Sequence, residues 1–371
     1  MFHRIVSGTL TLAACYVLAA CSNATTAVPT PAVRSQHAVS HLTVAYKTVD
    51  LSVAGYPESN LSAAIMGSQG GTFTVAYYKW KCGPRYYCTT SQTHAAIWNG
   101  TPQSVVDLNP SGYFQTAVNG LATGVQVGYG YASQPTYRQQ YHALLWRGSA
   151  GSMVDLHPAG YNGSIAYAAD GNVQAGSAWT SGIGSHATIW SGSASSVVDL
   201  NPPGTTGSEA YAVSNGIEGG YAMLQGVGQH AYVWTGTASS GRDVHPSAYQ
   251  ASYIKGVDGK TEVGAVATAS GWHAFLWVTG SSGVNLEPPN SVQSEAVAAY
   301  QGTQVGWVGS ASSYRAAAWS GTAQSFVDLN QFLPSGFVGS KAAAIASDGS
   351  IAGFAQDSNW KMHAILWLPQ H

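Results

Sequence analysis

Charge is nearly missing from this chain. Only 14 Lys and Arg and 16 Asp and Glu occur in 371 residues, and the formal net charge is −2. Binding to nucleic acid draws on several Lys or Arg that displace counterions from phosphates. No such patch is present, so no nucleic-acid partner is expected. A basic amphipathic helix for lipid is also lacking, and beyond the first 20 residues no run is apolar and long enough to span a bilayer. There is no His-Glu-x-x-His, no phosphate loop and no Gly-x-Ser-x-Gly elbow in a strand-to-helix context. No catalytic residue, metal or cofactor is therefore assigned, and the chain is not expected to be an enzyme. What it has instead is Ser, Thr, Gln, Asn, Tyr and 44 glycines, a composition suited to an exported β-protein.

The N-terminus reads as an export signal. Arg4 supplies the positive charge, and the apolar stretch from Ile5 to Ala20 is short and rich in small residues. It ends Leu18-Ala19-Ala20-Cys21, which resembles the bacterial lipobox. The resemblance implies a signal peptide over residues 1–20 and a diacylglyceryl group on Cys21, the membrane anchor. Ser22, standing where an inner-membrane retention signal has Asp, favours the outer membrane of the cell envelope. Residues 21–42 carry Ala, Thr, Ser, Val and Pro without an apolar period and read as a flexible tether. The folded body is expected over 43–371. Cys15 leaves with the signal, so Cys82 and Cys88, flanking Gly83-Pro84, are left to form a disulfide in an oxidising compartment.

Self-comparison of the body shows a repeat. His-Ala-x-x-Trp begins at His94, His142, His186, His230, His273 and His363, and a seventh copy has Arg315 in place of His. Each Trp but the last is followed eight or nine residues later by Val-Asp-Leu or a variant, centred on Asp107, Asp155, Asp199, Asp243, Asn285 and Asp328. Two further strand-like pieces, joined by a Gly-containing hairpin signal such as Asn215-Gly216 or Asp258-Gly259, complete each period. Four short antiparallel strands in about 44 residues make one propeller blade. The expected fold is thus an all-β, seven-bladed propeller. Its Ala- and Gly-rich strand should be innermost, where side chains crowd the axis. The orphan Val49-Asp50-Leu51 should supply the strand that the last blade lacks, closing the ring and hiding two edges.

These copies resemble the extracellular repeat family named for His-Ala-Phe, matched literally by His273-Ala274-Phe275. The resemblance covers roughly Val49 to Trp367; it implies an exported repeat protein and brings no established activity with it. The six motif histidines, with Asp50, Asp107, Asp155, Asp199, Asp243 and Asp328, occur once per blade. Equivalent positions lie far apart around a ring, so they cannot converge on one ion. They are expected to hydrogen-bond inside their own blades, with a Ser such as Ser208 or Ser294, and so fix strand register. WD40 propellers use polar tetrads in an analogous way. The Trp residues are expected to pack between blades.

Function should then lie in what varies, or on one face. Loops entering the inner strands carry Tyr56, Tyr113, Tyr161, Tyr249 and Phe337. Such rings stack on sugars or anchor protein interfaces. The first expectation is a non-catalytic binding module for glycan or envelope polymer, monomeric, acting through this aromatic face. The alternative is an interaction scaffold for an envelope protein. A third, a lyase or hydrolase, would use Glu209 and Glu295 at the channel mouth, in blades two apart, as paired carboxylates.

Overall fold

The computed structural model describes residues 44–370 except 82–86, 133–139, 183, 279–281 and 311–312. Cys21, the signal and tether segments, and Cys82 lie outside the described residues; Cys88 falls within a strand. Among the described residues no helix is long and apolar enough to cross a membrane.

Seven four-stranded antiparallel sheets form the body. Blade I contains β2 (Ser59–Ile65), β3 (Ser68–Lys81), β4 (Tyr87–Trp98) and β5 (Val106–Asp107). Blade II contains β6 (Gln115–Ala122), β7 (Val125–Tyr131), β8 (His142–Trp146) and β9 (Val154–Asp155). Blade III contains β10 (Gly163–Asp170), β11 (Val173–Thr180), β12 (Gly184–Trp190) and β13 (Val198–Asp199). Blade IV contains β14 (Thr205–Ser214), β15 (Ile217–Leu224), β16 (Gly228–Trp234) and β17 (Arg242–Asp243). Blade V contains β18 (Ala251–Asp258), β19 (Thr261–Thr268), β20 (Gly271–Val278) and β21 (Val284–Asn285). Blade VI contains β22 (Gln293–Tyr300), β23 (Thr303–Ser310), β24 (Ser313–Trp319) and β25 (Val327–Asp328). Blade VII contains β26 (Phe337–Ile345), β27 (Ile351–Asp357) and β28 (Met362–Gln370), and its outer strand is β1 (Ala45–Asp50) from the start of the body. The ring is a seven-bladed propeller closed by its N-terminal strand.

The local causes follow from the sequence. Asn215 and Gly216 both take left-handed backbone (φ 52° and 72°), the geometry a tight hairpin with right-handed strand twist needs. Each motif Trp leaves its own blade and packs on the previous one. Trp190 of blade III lies against Val127, Leu145 and Leu156 of blade II, and Trp98 of blade I meets Leu51 and Leu366 of blade VII. Six of the seven Leu and Val residues after the motif Asp or Asn are fully buried leucines, as at Leu108, Leu200 and Leu329. Each such Leu contributes about 2 kcal/mol relative to an exposed one.

The recurring polar residues form a chain of bonds. His94, His142, His186 and His230 each meet the Asp of the adjacent outer strand at 2.7 Å through Nδ1. His363 meets Asp50 across the closure at 3.0 Å, and Arg315 bonds Asp328 at 2.9 Å where the His is lost. The second Asp oxygen accepts the backbone N–H two residues on, as Asp107 does from Asn109 at 2.8 Å. Asn285 keeps that second task toward Glu287 N–H at 2.8 Å but not the first. Ser208 and Ser252 do not bond the His and Asp of their own blades, contrary to expectation. Ser208 of blade IV accepts from Ala187 N–H of blade III at 3.0 Å and donates to Asn201 at 2.7 Å. Ser252 of blade V likewise accepts from Ala231 of blade IV at 2.8 Å. The physical reason is crowding near the axis: the start of each inner strand lies beside the third strand of the preceding blade. The hydroxyl therefore satisfies a buried amide that no sheet ladder reaches, and ties one blade to the next.

Candidate functional site: the channel mouth

Every inner strand carries a β-bulge at the same place. In blade V the register passes from Ile254↔Gly264 to Gly256↔Val263, leaving Lys255 as the extra residue. The corresponding extra residues are Ser62, Asn119, Tyr167, Tyr211, Val297 and Ala343. A bulge bends its strand and re-aims a side chain. Here all seven residues, or their immediate neighbours, line one axial cavity of about 470 Å³. The strand opposite the bulge always presents Gly: Gly71, Gly128, Gly176, Gly220, Gly264, Gly306 and Gly353. A Cβ at any of them would overlap a carbonyl oxygen of the inner strand. Beyond the bulges the strands continue in small residues such as Ala168, Ala212 and Ala298, which leave the channel open.

The bulge position repeats in structure, while its residue type does not. The charged and aromatic groups belong to blades III to VII. Lys255 places Nζ 3.6 Å from the centre of the Tyr211 ring, and Lys341 stands 3.9 Å from both Trp307 and Tyr314. Such cation–π contacts are worth more where water is excluded. Glu295 accepts from Tyr253 Oη at 3.0 Å and from Trp307 Nε1 at 2.9 Å. Tyr167 Oη reaches Glu209 at 3.4 Å. Burial pulls the Lys255 ammonium below its ordinary range, opposed by the charges of Glu295 and Glu209. Burial likewise lowers Lys341. Burial, then Glu209, raises the Tyr211 phenol, and Tyr221 is pushed up to about 12. The phenols thus stay protonated as donors, and Glu295, Lys255 and Lys341 line an aromatic-walled channel, with Glu209 behind Tyr167.

Glu295 lines the channel, whereas Glu209 is not among its lining residues and meets it through Tyr167, with Lys255 of blade V between their blades. Sequence reasoning missed Tyr167, Tyr211, Lys255, Trp307 and Lys341. The signal that could have found three of them was the aligned inner-strand column in which Ser, Asn, Tyr, Tyr, Lys, Val and Ala succeed one another.

The loop aromatics behave differently. Tyr113, Tyr161, Tyr249 and Phe337 are half-buried; only Tyr56 is exposed. Tyr56 packs edge-on to Phe73 at 4.7 Å, Tyr249 to Phe275 at 5.5 Å, and Phe337 to His363 at 5.2 Å. Tyr161 shares a small pocket with His186 and Asp199. Each ring packs on the strands or the polar pair of its own blade, so the five do not form one open platform. Among the described residues no three His, Cys, Asp or Glu side chains stand close enough to share a metal ion.

No family model and no curated protein matches the chain. Solved structures do. The chain is similar to the β-propeller domain of the Trilobed protease from Pyrococcus furiosus, with TM-score 0.54 and 7% identity over 84% of this chain and 94% of that one. It is also similar to a puromycin-hydrolyzing peptidase of Mycobacterium tuberculosis, with TM-score 0.53 and 13% identity over 88% of this chain and 51% of that one. A puromycin hydrolase gives TM-score 0.51 and 11% identity over 82% and 53%. The chain thus spans about half the length of the last two. The Trilobed protease propeller is described as having an open velcro topology; this ring is closed. At such identities the likeness establishes the propeller and no more. The expectation of a non-catalytic glycan or envelope-polymer module on an aromatic face is corrected here. The neighbours are propellers of peptidases, and the aromatic side chains are engaged within their blades.

Proposed function

We propose that this chain serves peptide hydrolysis, its channel mouth taking up the charged end of a peptide. The observation that carries the reading is the mixed cluster of Glu209, Glu295, Lys255 and Lys341 on aromatic walls. It occupies positions that the repeat keeps geometrically equivalent but fills with different residues. A peptide terminus offers an ammonium or a carboxylate on a narrow extended chain, which matches one charge sign or the other within this cluster. The peptidase propellers among the structural neighbours support the same reading. Isothermal titration of the full-length protein with free-ended tripeptides is expected to show binding that acetylated and amidated peptides lose. Lys255→Met and Glu295→Gln should each weaken it about tenfold, or 1.4 kcal/mol. Equal binding of capped and free peptides, or unchanged affinity in both variants, would overturn the reading.

We further propose that the protein sits on the envelope through a lipid on Cys21, supported by the lipobox resemblance. Changing Cys21→Ala should move it from the membrane to the soluble fraction; retention at the membrane would refute the anchor.

A further inference from the structure

Blade V breaks the repeat in three places, and all three meet at one imidazole. The outer-strand Asp is Asn285, so His273 has no carboxylate at the usual position. Glu287, where other blades have Asn, His or Ser, takes over: its Oε2 lies 3.0 Å from His273 Nδ1, although off the hydrogen-bond line. Glu287 is in turn held by Ser294 of blade VI. At the far side of the ring, Nε2 meets two hydroxyls of the β19–β20 hairpin, Thr268 Oγ1 at 2.9 Å and Ser270 Oγ at 3.1 Å. Among the described residues no other motif histidine has a hydroxyl hydrogen-bonded at Nε2. The order hydroxyl, imidazole, carboxylate is that of an activated nucleophile, in which the carboxylate fixes the ring so that its distal nitrogen can take the hydroxyl proton. Looser geometry than in a reacting complex is ordinary for an unliganded site.

The two hydroxyls are not equivalent. Thr268 is half-buried and tied down, bonding Gly271 O at 3.3 Å and accepting from Ser270 N–H at 3.2 Å. Ser270 is exposed at the tip of the turn. His273 is largely buried, 8% exposed, and the Glu287 side chain is 12% exposed, so the serine is far more open to solvent than the carboxylate. The hairpin is linked to the channel through two aromatic residues. Trp272, on the opposite face of β20 from His273, packs on Tyr253 at 4.9 Å, and Tyr253 bonds Glu295 in the channel.

We propose that Ser270, His273 and Glu287 form an acyl-transfer site on the rim of blade V, acting on an ester or amide carbonyl. Ser270 Oγ forms a bond to the acyl carbon while its proton passes to His273 Nε2. The carbon–leaving-group bond breaks, and the leaving group departs with that proton. Water then attacks the acyl carbon, giving a proton to Nε2; the Oγ–carbon bond breaks, Ser270 regains the proton, and the acid is released. The site rests on the channel reading only for its choice of a peptide substrate.

The test uses the full-length protein and a fluorophosphonate, followed by peptide mass mapping. A single adduct on Ser270 is expected, absent in Ser270→Ala and formed at least tenfold more slowly in Glu287→Gln. Exposed Ser239→Ala should label like the parent. Thermal melting of each variant separates loss of labelling from loss of fold. No adduct on the folded protein, adducts spread over several serines, or an unchanged rate in a folded Glu287→Gln would overturn the proposal. Tripeptide binding to Ser270→Ala is expected to persist, so the channel reading and this site can fail separately.

Discussion

Removing residues 1–51 should lower the midpoint of thermal unfolding by roughly 10 °C relative to removal of residues 1–43, as measured by calorimetry. The difference is the strand β1 and Leu51. Six residue pairs join β1 to β28, from Ala45↔Gln370 to Asp50↔Ile365. Leu51 is fully buried, and its N–H bonds Ala364 O at 2.8 Å. Thr48 Oγ1 donates to Phe332 O at 3.2 Å, and Asp50 pairs with His363 at 3.0 Å. A buried Leu at about 2 kcal/mol and several ladder bonds at about 1 kcal/mol each sum to a loss on the order of 5 kcal/mol. The truncation would also leave β28 as an open edge, so the shortened body should aggregate more readily. Equal melting of the two truncations would mean that β1 does not close the ring.

The fold was legible because its determinants repeat. His-Ala-x-x-Trp recurs since every blade needs a Trp against its predecessor and a polar pair between its outer strands, and a hairpin Gly recurs since every tight turn needs left-handed backbone. The orphan Val49-Asp50-Leu51 was equally readable, being one copy of a strand out of place. The candidate site was less legible for the converse reason. Lys255 stands at the bulge, while Glu209, Glu295 and Lys341 stand two residues before it in their own strands; neither column keeps one residue type, so Lys255 looks like an isolated lysine until the bulge aims it at the axis. The bulges themselves are hidden because buried and less buried side chains still alternate through them, as in Ser252-Tyr253-Ile254-Lys255. Only Glu209 and Glu295 stood out, as acids left over from the motif. The inter-blade role of the Ser hydroxyls was hidden too. Ser208 follows Ala187 by 21 residues, a spacing that fits either a bond within one blade or one between two. The loop aromatics recur as plainly as the motif, but recurrence does not say whether a ring faces solvent or its own blade.

Changing Gly264 to Ala should cost on the order of 4 kcal/mol, among the largest effects of a single methyl group, and should remove peptide binding at the channel. A Cβ on Gly264 would overlap the carbonyl oxygen of Tyr253, and both partners in that clash are backbone-bound. No rotamer change relieves it; either the two strands separate or the bulge at Ile254 and Lys255 is undone. Undoing the bulge shifts the pairing by one residue, and a one-residue slip turns every following side chain to the other face. Lys255 would leave the axis, and Tyr253 would lose its line to Glu295. Gly259→Asn makes the control: a Cβ there meets nothing within 4 Å, and its φ of +59° is one that Asn tolerates. That change should cost about 1 kcal/mol or less and leave binding intact. Urea unfolding of both variants, with tripeptide titration of whatever folds, measures the two consequences together. A Gly264→Ala protein as stable as its parent would show that the bulge does not depend on glycine. If it also bound peptide normally, the account of how the backbone places Lys255 in the channel would fall with it.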